Sequence, residues 1–591
     1  MPLAPAVGTK RFVGKKRGAE KKRPLPLCVV APVFWLLPLA MVICSSLNTA
    51  ASGSDVPSLD ADATRTLQRR QIVSQINDAL ARHWETEGVV PAPFAKDEEF
   101  LRRATLDLTG IVPRASRVRS YLDDQNADKR ERLIAELVQS GRYATHLATV
   151  WTQRLLPPGA DEMHPIEAAA LQAWLRTRFA VNLRYDNLVS GLLLTTGGDD
   201  LGPGLFYRTH DLAPEKLAAS SAKLFLGVEL QCAQCHDHPF NAWSQRDFWG
   251  LAAFFARVSS PDAARMTSRF RLRDLPSGEA YLPDSQEAVP PKFPRGAQVA
   301  DAELLSRREA LAFWLTSRDN PFLSRAAANW AWQHLLGEPL VESVEPASSA
   351  PDTPQERILG VLAESFVRSD YDLRELLTVI ALTDAYRLSV EHPNPQSVPV
   401  GSFARMPLKP LTPEQIYDSL QSVSPTLRGT EALDLLADAM PDGESSPRAA
   451  FLRGMRSPPG SSTEFRAGTL QALQLMNGRT MAEASASSDN ALTAALDAPY
   501  FSDQQRLEAI YLSLLSRLPT QDEQQGVLAI ISDAAEGETP PLPPDRQTAS
   551  AAASSAPASS DADVPLSQRR RRIWSDVVWA LVNSSEFSFT R

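Results

Sequence analysis

Cysteine is nearly absent from this sequence. Its 591 residues include four cysteines, and two of them, Cys28 and Cys44, lie in the N-terminal segment. The rest of the chain holds only Cys232 and Cys235, which excludes the framework of several disulfides found in small secreted domains. One pair of thiols remains, and it defines the short motif in this chain that carries specific chemistry.

Several common signatures are also missing. The sequence contains no glycine-rich phosphate loop, no G-x-S-x-G nucleophile elbow and no H-E-x-x-H pair, so it lacks the marks of the enzyme classes that these motifs define. Basic residues do not predominate, because the formal net charge is −9. We therefore expect no nucleic-acid partner, since phosphate binding needs concentrated basic surface. Whether the protein is an enzyme stays open.

Basic residues are concentrated before residue 24, and an uncharged apolar run follows from Leu25 to Leu47. This order is typical of a signal peptide or of an N-terminal membrane anchor. Prolines inside the run disfavour a buried core helix, and the run is long enough to span a bilayer. We predict export to the periplasm or cell envelope, with residues 1–50 as a cleaved signal or with residues 25–47 as an anchor.

Helical periodicity dominates the remainder and predicts a mainly α fold, in which multi-helix domains are joined by long loops. Sequences of the type S/T-x-x-E/Q predict helix starts at Thr412, Ser502 and Thr520, and caps are expected at Asp128 and Ser244. Composition divides the chain further. The predicted parts are a flexible spacer (51–70), a helical domain with the cysteine motif (71–258), a proline-rich connector (259–300) with a short β-hairpin near 265–290, and a helical C-terminal domain (301–591) with a disordered insertion (537–567).

The motif is Cys232-Ala-Gln-Cys235-His236. At this spacing two thiols can add to the two vinyl groups of one haem while the adjacent imidazole ligates the iron from one face. Attachment requires reduced thiols and an assembly apparatus outside the cytoplasm, which the predicted export would satisfy. The motif lies between a helix that begins near Pro214 and one capped by Ser244, so we expect a binding loop held by two helices.

Three other interpretations compete with a c-type haem. The two cysteines could form a disulfide, with His236 and His238 as ordinary polar groups. They could bind zinc or iron together with His236 or His238, leaving a coordination position open. They could also act as a redox dithiol, although no strand–helix context supports a thioredoxin-like unit. His238 is too close to His236 to reach the opposite haem face. We therefore expect it either to support the iron ligand by a contact of its own or to serve as an alternative metal ligand.

A haem also needs a second axial position, and residue type alone offers five candidates. These are His146, His164, His210, Met163 and Met266. An aromatic cluster near the motif could wall a haem crevice, but aromatic residues at helical spacing are more often part of the core. Its members are Phe240, Trp243, Phe248, Trp249, Phe254 and Phe255.

Several longer strings resemble the planctomycete cytochrome C-like domain of unknown function. They are Phe100 to Pro113, Asp128 to Tyr143, Leu224 to Phe240 and Trp243 to Phe248. A second set resembles the C-terminal partner domain, also of unknown function, that usually follows it. This set comprises Asn320 to Phe322, Asn329 to Trp332, Tyr371 to Leu376, Leu408 to Leu420, Leu470 to Gly478 and Trp579 to Phe587. Asn329-Trp330 departs from the Asn-Arg expected in that family.

The resemblance implies an exported, cytochrome-like protein without an established reaction. Three functions follow from the sequence as a whole. The leading hypothesis is a haem c protein in electron transfer or redox chemistry, with a redox partner protein or an envelope component as its partner. The alternatives are a Cys/His metal-dependent enzyme acting on envelope or polysaccharide material, and a structural envelope protein with a disulfide between Cys232 and Cys235.

Overall fold

The computed structural model describes most of the chain after residue 58. The described residues are 59–198, 201–237, 242–261, 270–283, 285–298, 305–345, 353–423, 447–455, 476, 478, 501–536 and 566–590. The predicted leader lies outside them, as do residues 537–565 of the predicted insertion (537–567). The last two residues of that insertion belong to a helix that begins at Leu566. Among the described residues no helix combines the length and apolar composition needed to cross a membrane.

The described fold is mainly α, which confirms the predicted class. The helices of the first half are α1 (Leu59–Glu87), α2 (Asp97–Thr109), α3 (Ala115–Asp123), α4 (Lys129–Gln139), α5 (Gly141–Leu155), α6 (Ala160–Met163), α7 (Pro165–Ala180), α8 (Tyr185–Leu193), α9 (Leu201–Thr209), α10 (Pro214–Ser221) and α11 (Gln245–Ala252). Those of the second half are α12 (Arg307–Thr316), α13 (Pro321–Leu336), α14 (Pro354–Arg368), α15 (Leu373–Ala381), α16 (Asp384–Arg387), α17 (Pro413–Val423), α18 (Pro447–Met455), α19 (Asp503–Leu514), α20 (Gln521–Glu536), α21 (Leu566–Val582) and α22 (Ser585–Ser588).

Strands are short and pair in twos. In the proline-rich connector, β1 (Val258–Ser259) pairs antiparallel with β2 (Arg273–Asp274), and β3 (Ala280–Tyr281) pairs antiparallel with β4 (Ala288–Val289). The second pair is the short hairpin predicted near 265–290. The third pair joins distant parts of the chain, since β5 (Lys409–Pro410) pairs with β6 (Phe589–Thr590).

Two hydrophobic clusters form the core of the described residues. The larger one contains side chains from α1 to α16 and so crosses the predicted connector. The smaller one is built from α17 to α22. Helix α2 contributes to both, because Phe100 and Leu101 lie in the larger cluster and Leu106 in the smaller one. Helix α2 is buried on nearly every side, and it therefore links the two cores.

Local sequence accounts for several helix ends. The capping interactions predicted at Thr412, Ser502, Thr520 and Ser244 are all present, with each side chain accepting a backbone N–H three residues on. Asp128 stands at the start of α4 but makes no side-chain cap. Its carboxylate instead accepts a hydrogen bond from Arg132 at 3.1 Å, one turn along the helix. An available cation thus competes with the backbone for this carboxylate.

The first helix begins earlier than the sequence suggested. Residues 51–70 were expected to form a flexible spacer, but α1 starts at Leu59. Near the end of that stretch Arg69 donates two hydrogen bonds to Glu375, at 2.8 and 2.6 Å. Glu375 lies on α15 and is remote in sequence. This bidentate pair holds the end of the predicted spacer, which its composition alone describes as flexible.

Candidate functional site

The loop that carries the cysteine motif begins where a helix is forced to end. Helix α10 continues into a wide π-helical turn, Ala222–Leu226, and Gly227 closes it with φ of 64°. A Cβ at Gly227 would lie 2.5 Å from Cγ2 of Val344, so side chains are excluded both by conformation and by space. Glycine here lets the loop pass close to a segment of the second half of the chain.

The motif itself lies on a single turn of 3-10 helix, Gln231–Gln234. Ala233 is fully buried and anchors this turn to the core, together with buried Leu230. Cys232 and Cys235 are both exposed and both carry free thiols. The buried alanine between them therefore holds the turn in place while the two sulfurs remain accessible from solvent.

Helix α11 fixes the backbone of the motif. The side chain of Gln245 donates to the carbonyl of Cys235 at 2.9 Å, and Trp249 Nε1 donates to the carbonyl of Gln234 at 3.0 Å. The backbone N–H of Gln245 donates to the carboxylate of Asp237 at 2.8 Å. These three bonds tie residues on both sides of Cys235 to one helix.

The start of α11 is itself held firmly. Ser244 and Asp247 form a reciprocal capping box, and Lys292 donates to the Asp247 carboxylate at 2.7 Å. Lys292 and Ser244 hold the pKa of Asp247 below its ordinary value, although its burial opposes this shift. Arg295 lies 4.2 Å from the ring centroid of Trp243 and donates to the carbonyl of Ala242. The connector thus supports the helix that supports the motif.

His236 is exposed, and its Nδ1 lies 2.8 Å from the carbonyl oxygen of Asp237. A carbonyl oxygen only accepts, so Nδ1 of His236 is the donor in this bond. A backbone carbonyl on one ring nitrogen is the usual support for a histidine that binds iron or zinc through the other. The Nδ1 bond of His236 is of this kind.

The residues proposed as neighbours of the motif fall into two groups, those outside the described residues and those buried in the core. His238 and Phe240 lie outside the described residues, as does Met266. The other aromatic residues, Trp243, Phe248, Trp249, Phe254 and Phe255, are buried in the larger hydrophobic cluster. They therefore belong to the core beneath the loop, in line with the more common role of aromatics at helical spacing.

Four of the candidate axial ligands can be located. His146 is half-buried beside His334, with ring centroids 5.8 Å apart, and Nδ1 of His210 lies 2.7 Å from the carbonyl of Phe206. His164 precedes α7, and Met163 is 69% exposed at the end of α6. Within the described ranges, no hydrogen bond or ring contact joins any of these four to the motif.

A bare metal ion is the alternative occupant of the motif. Among the described residues, which exclude His238, no three His, Cys, Asp or Glu side chains are grouped so that they could hold a metal ion. Haem attachment uses two thiols at separate vinyl groups and an imidazole at the iron. Cys232, Cys235 and His236 supply these groups, and both thiols are exposed and free.

A second cluster of functional groups lies deep in the protein and was missed by the sequence reasoning. Lys409 Nζ donates to one carboxylate oxygen of Asp107 at 2.7 Å, and the Tyr386 hydroxyl donates to the other at 2.8 Å. Burial lowers the pKa of Lys409 against the opposing effect of Asp107, and burial raises the pKa of Tyr386. This network joins α2, α16 and β5.

Arg103 extends the same network by one turn of α2. It donates to the carbonyls of Tyr386 and Leu388, at 2.7 and 2.9 Å, and to the Glu99 carboxylate at 2.5 Å. Its side chain is 1% exposed. The available signal was the presence of Arg102, Arg103 and Asp107 among the apolar residues that follow the acidic first turn of α2, since buried charges occur almost only where they are paired.

Two histidines border this network. His334 Nε2 donates to the backbone carbonyl of Asp107 at 3.2 Å, and His146 packs beside it. Burial is the main cause that lowers the pKa of each histidine to about 3. His146 Nε2 is buried with no hydrogen-bond partner among the described residues. Both rings are therefore neutral at physiological pH.

Trp330 occupies the position at which the resemblance led us to expect arginine. Its ring stacks on His334 and contacts Trp151, with centroid separations of 5.5 and 4.9 Å. Arg154 from α5 places its guanidinium 5.1 Å from the Trp330 ring centroid. The preceding Asn329 binds backbone groups of Leu340 and Val341, so it has a structural role in turning the chain.

Fold and site together define a class: a mainly α protein with an exposed C-x-x-C-H loop supported by a buried helical core. The chain belongs to the proteins in which a PSCyt2 domain is followed by a PSD1 domain. It matches the PSCyt2 model (protein of unknown function, DUF1549) over residues 75–260 and the PSD1 model (protein of unknown function, DUF1553) over residues 307–441. The order of the two matches confirms the resemblance drawn from the sequence. No curated protein and no solved structure matches the chain.

Proposed function

We propose that this chain is an exported c-type haem protein that exchanges electrons with a partner at the motif loop. Cys232 and Cys235 are the thioether anchors, and His236 is the iron ligand. The observation that carries the proposal is the combination of two exposed free thiols with an imidazole whose Nδ1 is held by a backbone carbonyl. The bound group would supply a reversible one-electron couple at its iron.

Haem attachment consumes only the two thiols and the two vinyl groups, and it needs no oxidant or reductant. Each thiol S–H adds across one vinyl C=C bond, so that a carbon–sulfur bond forms and the proton goes to the other vinyl carbon, without a leaving group. Both thiols must be reduced and reachable when this happens. Exposure of Cys232 and Cys235 on one short turn meets the second requirement, and the bonds from Gln245 and Trp249 keep that turn in place.

Electron transfer is favoured over catalysis within a closed pocket because the motif lies at the surface. His236 is exposed, and the aromatic side chains beneath the loop are packed into the core. An electron partner needs close approach to the redox centre, whereas a catalytic pocket needs a concave site that surrounds a substrate. The exposed loop suits the first requirement.

Export is part of the same proposal, because haem attachment of this kind occurs outside the cytoplasm. Its support is the basic segment and apolar run before residue 48. Cell fractionation of a producing bacterium should place the protein in the periplasm or the envelope. Recovery only from the cytoplasm would contradict this part of the proposal.

The direct test is the visible spectrum of protein produced in a bacterium that carries c-type maturation machinery. We expect a red protein whose Soret band survives acid–acetone extraction. His236→Ala should abolish the characteristic haem spectrum while helical content is unchanged, and the double variant Cys232→Ala/Cys235→Ala should release its colour on extraction. His392→Ala is the matched control, because His392 is a partly exposed histidine bonded to the backbone of Val90.

The same experiment separates the alternatives. A colourless protein with stoichiometric zinc or iron would instead support the metal-dependent enzyme, with Cys232, Cys235 and either His236 or His238 as ligands. A colourless, metal-free protein with a disulfide between Cys232 and Cys235 would support the structural envelope protein. Either result would overturn the haem proposal.

A further inference from the structure

Arg154, near the end of α5, is a partly exposed arginine whose guanidinium has no hydrogen-bond acceptor among the described residues. Comparable arginines are paired. Arg308 donates to both carboxylate oxygens of Asp274, each at 2.9 Å, and Arg325 donates to Glu356 at 2.6 Å. In contrast, Nε of Arg154 is buried without a partner in the described part of the chain. A buried donor of this kind is costly, and native structures almost always satisfy it.

No described carboxylate neutralises Arg154. Burial lowers the pKa of Arg154 to about 10, and the Tyr185 hydroxyl acts in the opposite direction. The guanidinium therefore stays charged at neutral pH although it has lost part of its hydration. The carboxylate of Glu414 accepts a hydrogen bond from Gln153, the residue before Arg154, at 2.8 Å, and it forms no ion pair with the arginine.

A second donor without a partner lies beside the guanidinium. Trp151 is about one turn before Arg154 on α5 and is 1% exposed, and its Nε1 has no acceptor among the described residues. The guanidinium carbon of Arg154 lies 5.2 Å from the Trp151 ring centroid. A buried indole N–H usually finds a hydrogen-bond partner. Two neighbouring donors on one helix therefore lack an acceptor.

Two indole rings hold the guanidinium in position. Its carbon lies 5.1 Å from the ring centroid of Trp330 on α13, in addition to its contact with Trp151. Trp330 is itself fixed, because it stacks on His334 and contacts Trp151. The donors of Arg154 are thus positioned before any ligand arrives, which reduces the entropy that binding costs. The partial exposure of Arg154 leaves it accessible from solvent.

The local charge distinguishes between acidic groups that could bind. His146 and His334 are neutral, because burial lowers the pKa of each to about 3. Lys409 is neutralised by Asp107. Arg154 therefore supplies one unpaired positive charge. A carboxylate carries one negative charge and has two oxygens that match the planar guanidinium. A phosphate group carries about −1.5 to −2 at neutral pH, so part of its charge would stay uncompensated.

We propose that Arg154, together with the neighbouring indole N–H of Trp151, forms a binding site for a small organic carboxylate. The carboxylate oxygens supply the acceptors that these two side chains lack. The inference does not rest on haem attachment, because neither residue belongs to the motif loop.

The test is a nuclear magnetic resonance titration of the full chain labelled with 15N at its tryptophan indoles. The Trp151 N–H signal is assigned as the one that disappears in Trp151→Phe. Sodium acetate replaces sodium chloride at constant ionic strength, and acetamide and inorganic phosphate are the comparison probes. We expect a saturable shift of the Trp151 signal with acetate, none with acetamide, and weaker binding of phosphate. The thermal unfolding midpoint should rise with acetate, because a ligand of the native state stabilises it.

Arginine variants locate the binding. Arg154→Gln should weaken acetate by at least about tenfold and abolish the rise of the midpoint, while Arg154→Lys keeps the charge without the planar fork and should also bind more weakly than the unaltered protein. Arg176→Gln is the matched control and should bind normally, because Arg176 is an exposed arginine on α7. Unchanged binding in Arg154→Gln, an equal loss in Arg176→Gln, or an equal response to acetamide or phosphate would each overturn the proposal.

Discussion

His236 and two half-buried histidines illustrate how burial decides what an imidazole can do. His236 is exposed and keeps Nε2 available for a ligand, while a backbone carbonyl holds its Nδ1. His146 and His334 are half-buried and pack against each other, and loss of solvent around the rings makes both of them neutral. Residue type alone put His146 among the candidate iron ligands, yet its surroundings in the core give it a packing role. Burial cannot be read from one isolated residue in a sequence.

These two histidines predict a loss of stability in mild acid. Their folded-state pKa of about 3 lies below the ordinary value of 6.5, so the unfolded state takes up protons first as the pH falls. Their stabilising effect is therefore complete above about pH 6.5 and is lost progressively towards pH 3. Urea unfolding between pH 7.5 and 4 should show this decline, while Lys409 and Arg154 near His334 oppose any added positive charge.

A histidine variant isolates this contribution from that of other groups. His146→Gln should lose less stability between pH 7.5 and 4 than the unaltered protein, even if it is less stable at pH 7.5. His392→Gln is the control substitution, because His392 lies apart from this pair and is bonded to the backbone of Val90. Identical pH profiles for the unaltered protein and His146→Gln would contradict the assignment.

Gly227 provides a second prediction at the residue scale. Gly227→Ala places a Cβ 2.5 Å from Val344 and forces alanine to φ of 64°, so we expect destabilisation of about 1–3 kcal/mol. Gly360→Ala is the control, because Gly360 lies within α14 with no atom within 4 Å of an added Cβ. That change should stabilise by up to about 1 kcal/mol. Chemical denaturation measures both, and equal effects would refute the explanation.

At the scale of single elements, α2 is the helix that organises the molecule. It supplies apolar residues to both cores, and its charged residues Arg102, Arg103 and Asp107 are buried. Arg102 donates to backbone carbonyls of Leu514 and Phe587, which belong to elements near the C-terminus. The helix thus binds remote segments through side chains that would normally lie in solvent.

Breaking the network on α2 should be costly. Asp107→Ala leaves the buried Tyr386 hydroxyl without its acceptor and leaves the Lys409 ammonium with carbonyl partners but no carboxylate, so we expect a loss of about 3–5 kcal/mol. Glu229→Ala removes the partner of Lys223 in an exposed ion pair and should cost less than about 1 kcal/mol. Unfolding free energies in urea provide the comparison, and a small effect of Asp107→Ala would show that the network is not essential.

The success of sequence reasoning also differs between elements. Helix starts at Ser244, Thr412 and Ser502 were predictable because the capping residue and its partner lie three residues apart. The polar first part of α1, from Leu59, was not predictable from its composition, and the contact that Arg69 of this helix makes with Glu375 is remote in sequence. Contacts as distant in sequence as Asp107 and Lys409 leave no local pattern. The motif was evident from its spacing, while its exposure and its support by α11 required the structure.

For the whole described molecule, the two matched family regions share one hydrophobic core. Side chains from α8 contact α12, and the π-helical turn before the motif contacts α13. The proline-rich connector forms short strand pairs and itself adds buried residues, such as Leu272 and Val289, to this core. Buried packing therefore continues through the connector. Such packing predicts that the PSCyt2 region depends on its neighbour for stability.

A fragment that ends at residue 261 tests this dependence. Without α12 and α13, apolar surface of the larger cluster would be exposed to water, which removes a dominant source of folding stability. We expect the fragment 59–261 to lack a cooperative unfolding transition and near-ultraviolet dichroism, in contrast to the chain 59–591. A well-folded fragment with a sharp transition would show that the two regions are independent.

The central claim is that Cys232 and Cys235 attach one haem covalently. Its most direct test is the intact mass, under denaturing conditions, of mature protein purified from a bacterium with c-type maturation machinery. We predict a mass increased by one haem and a tryptic peptide that carries the haem on both cysteines. An unmodified mass, with both thiols free or joined in a disulfide, would contradict the account.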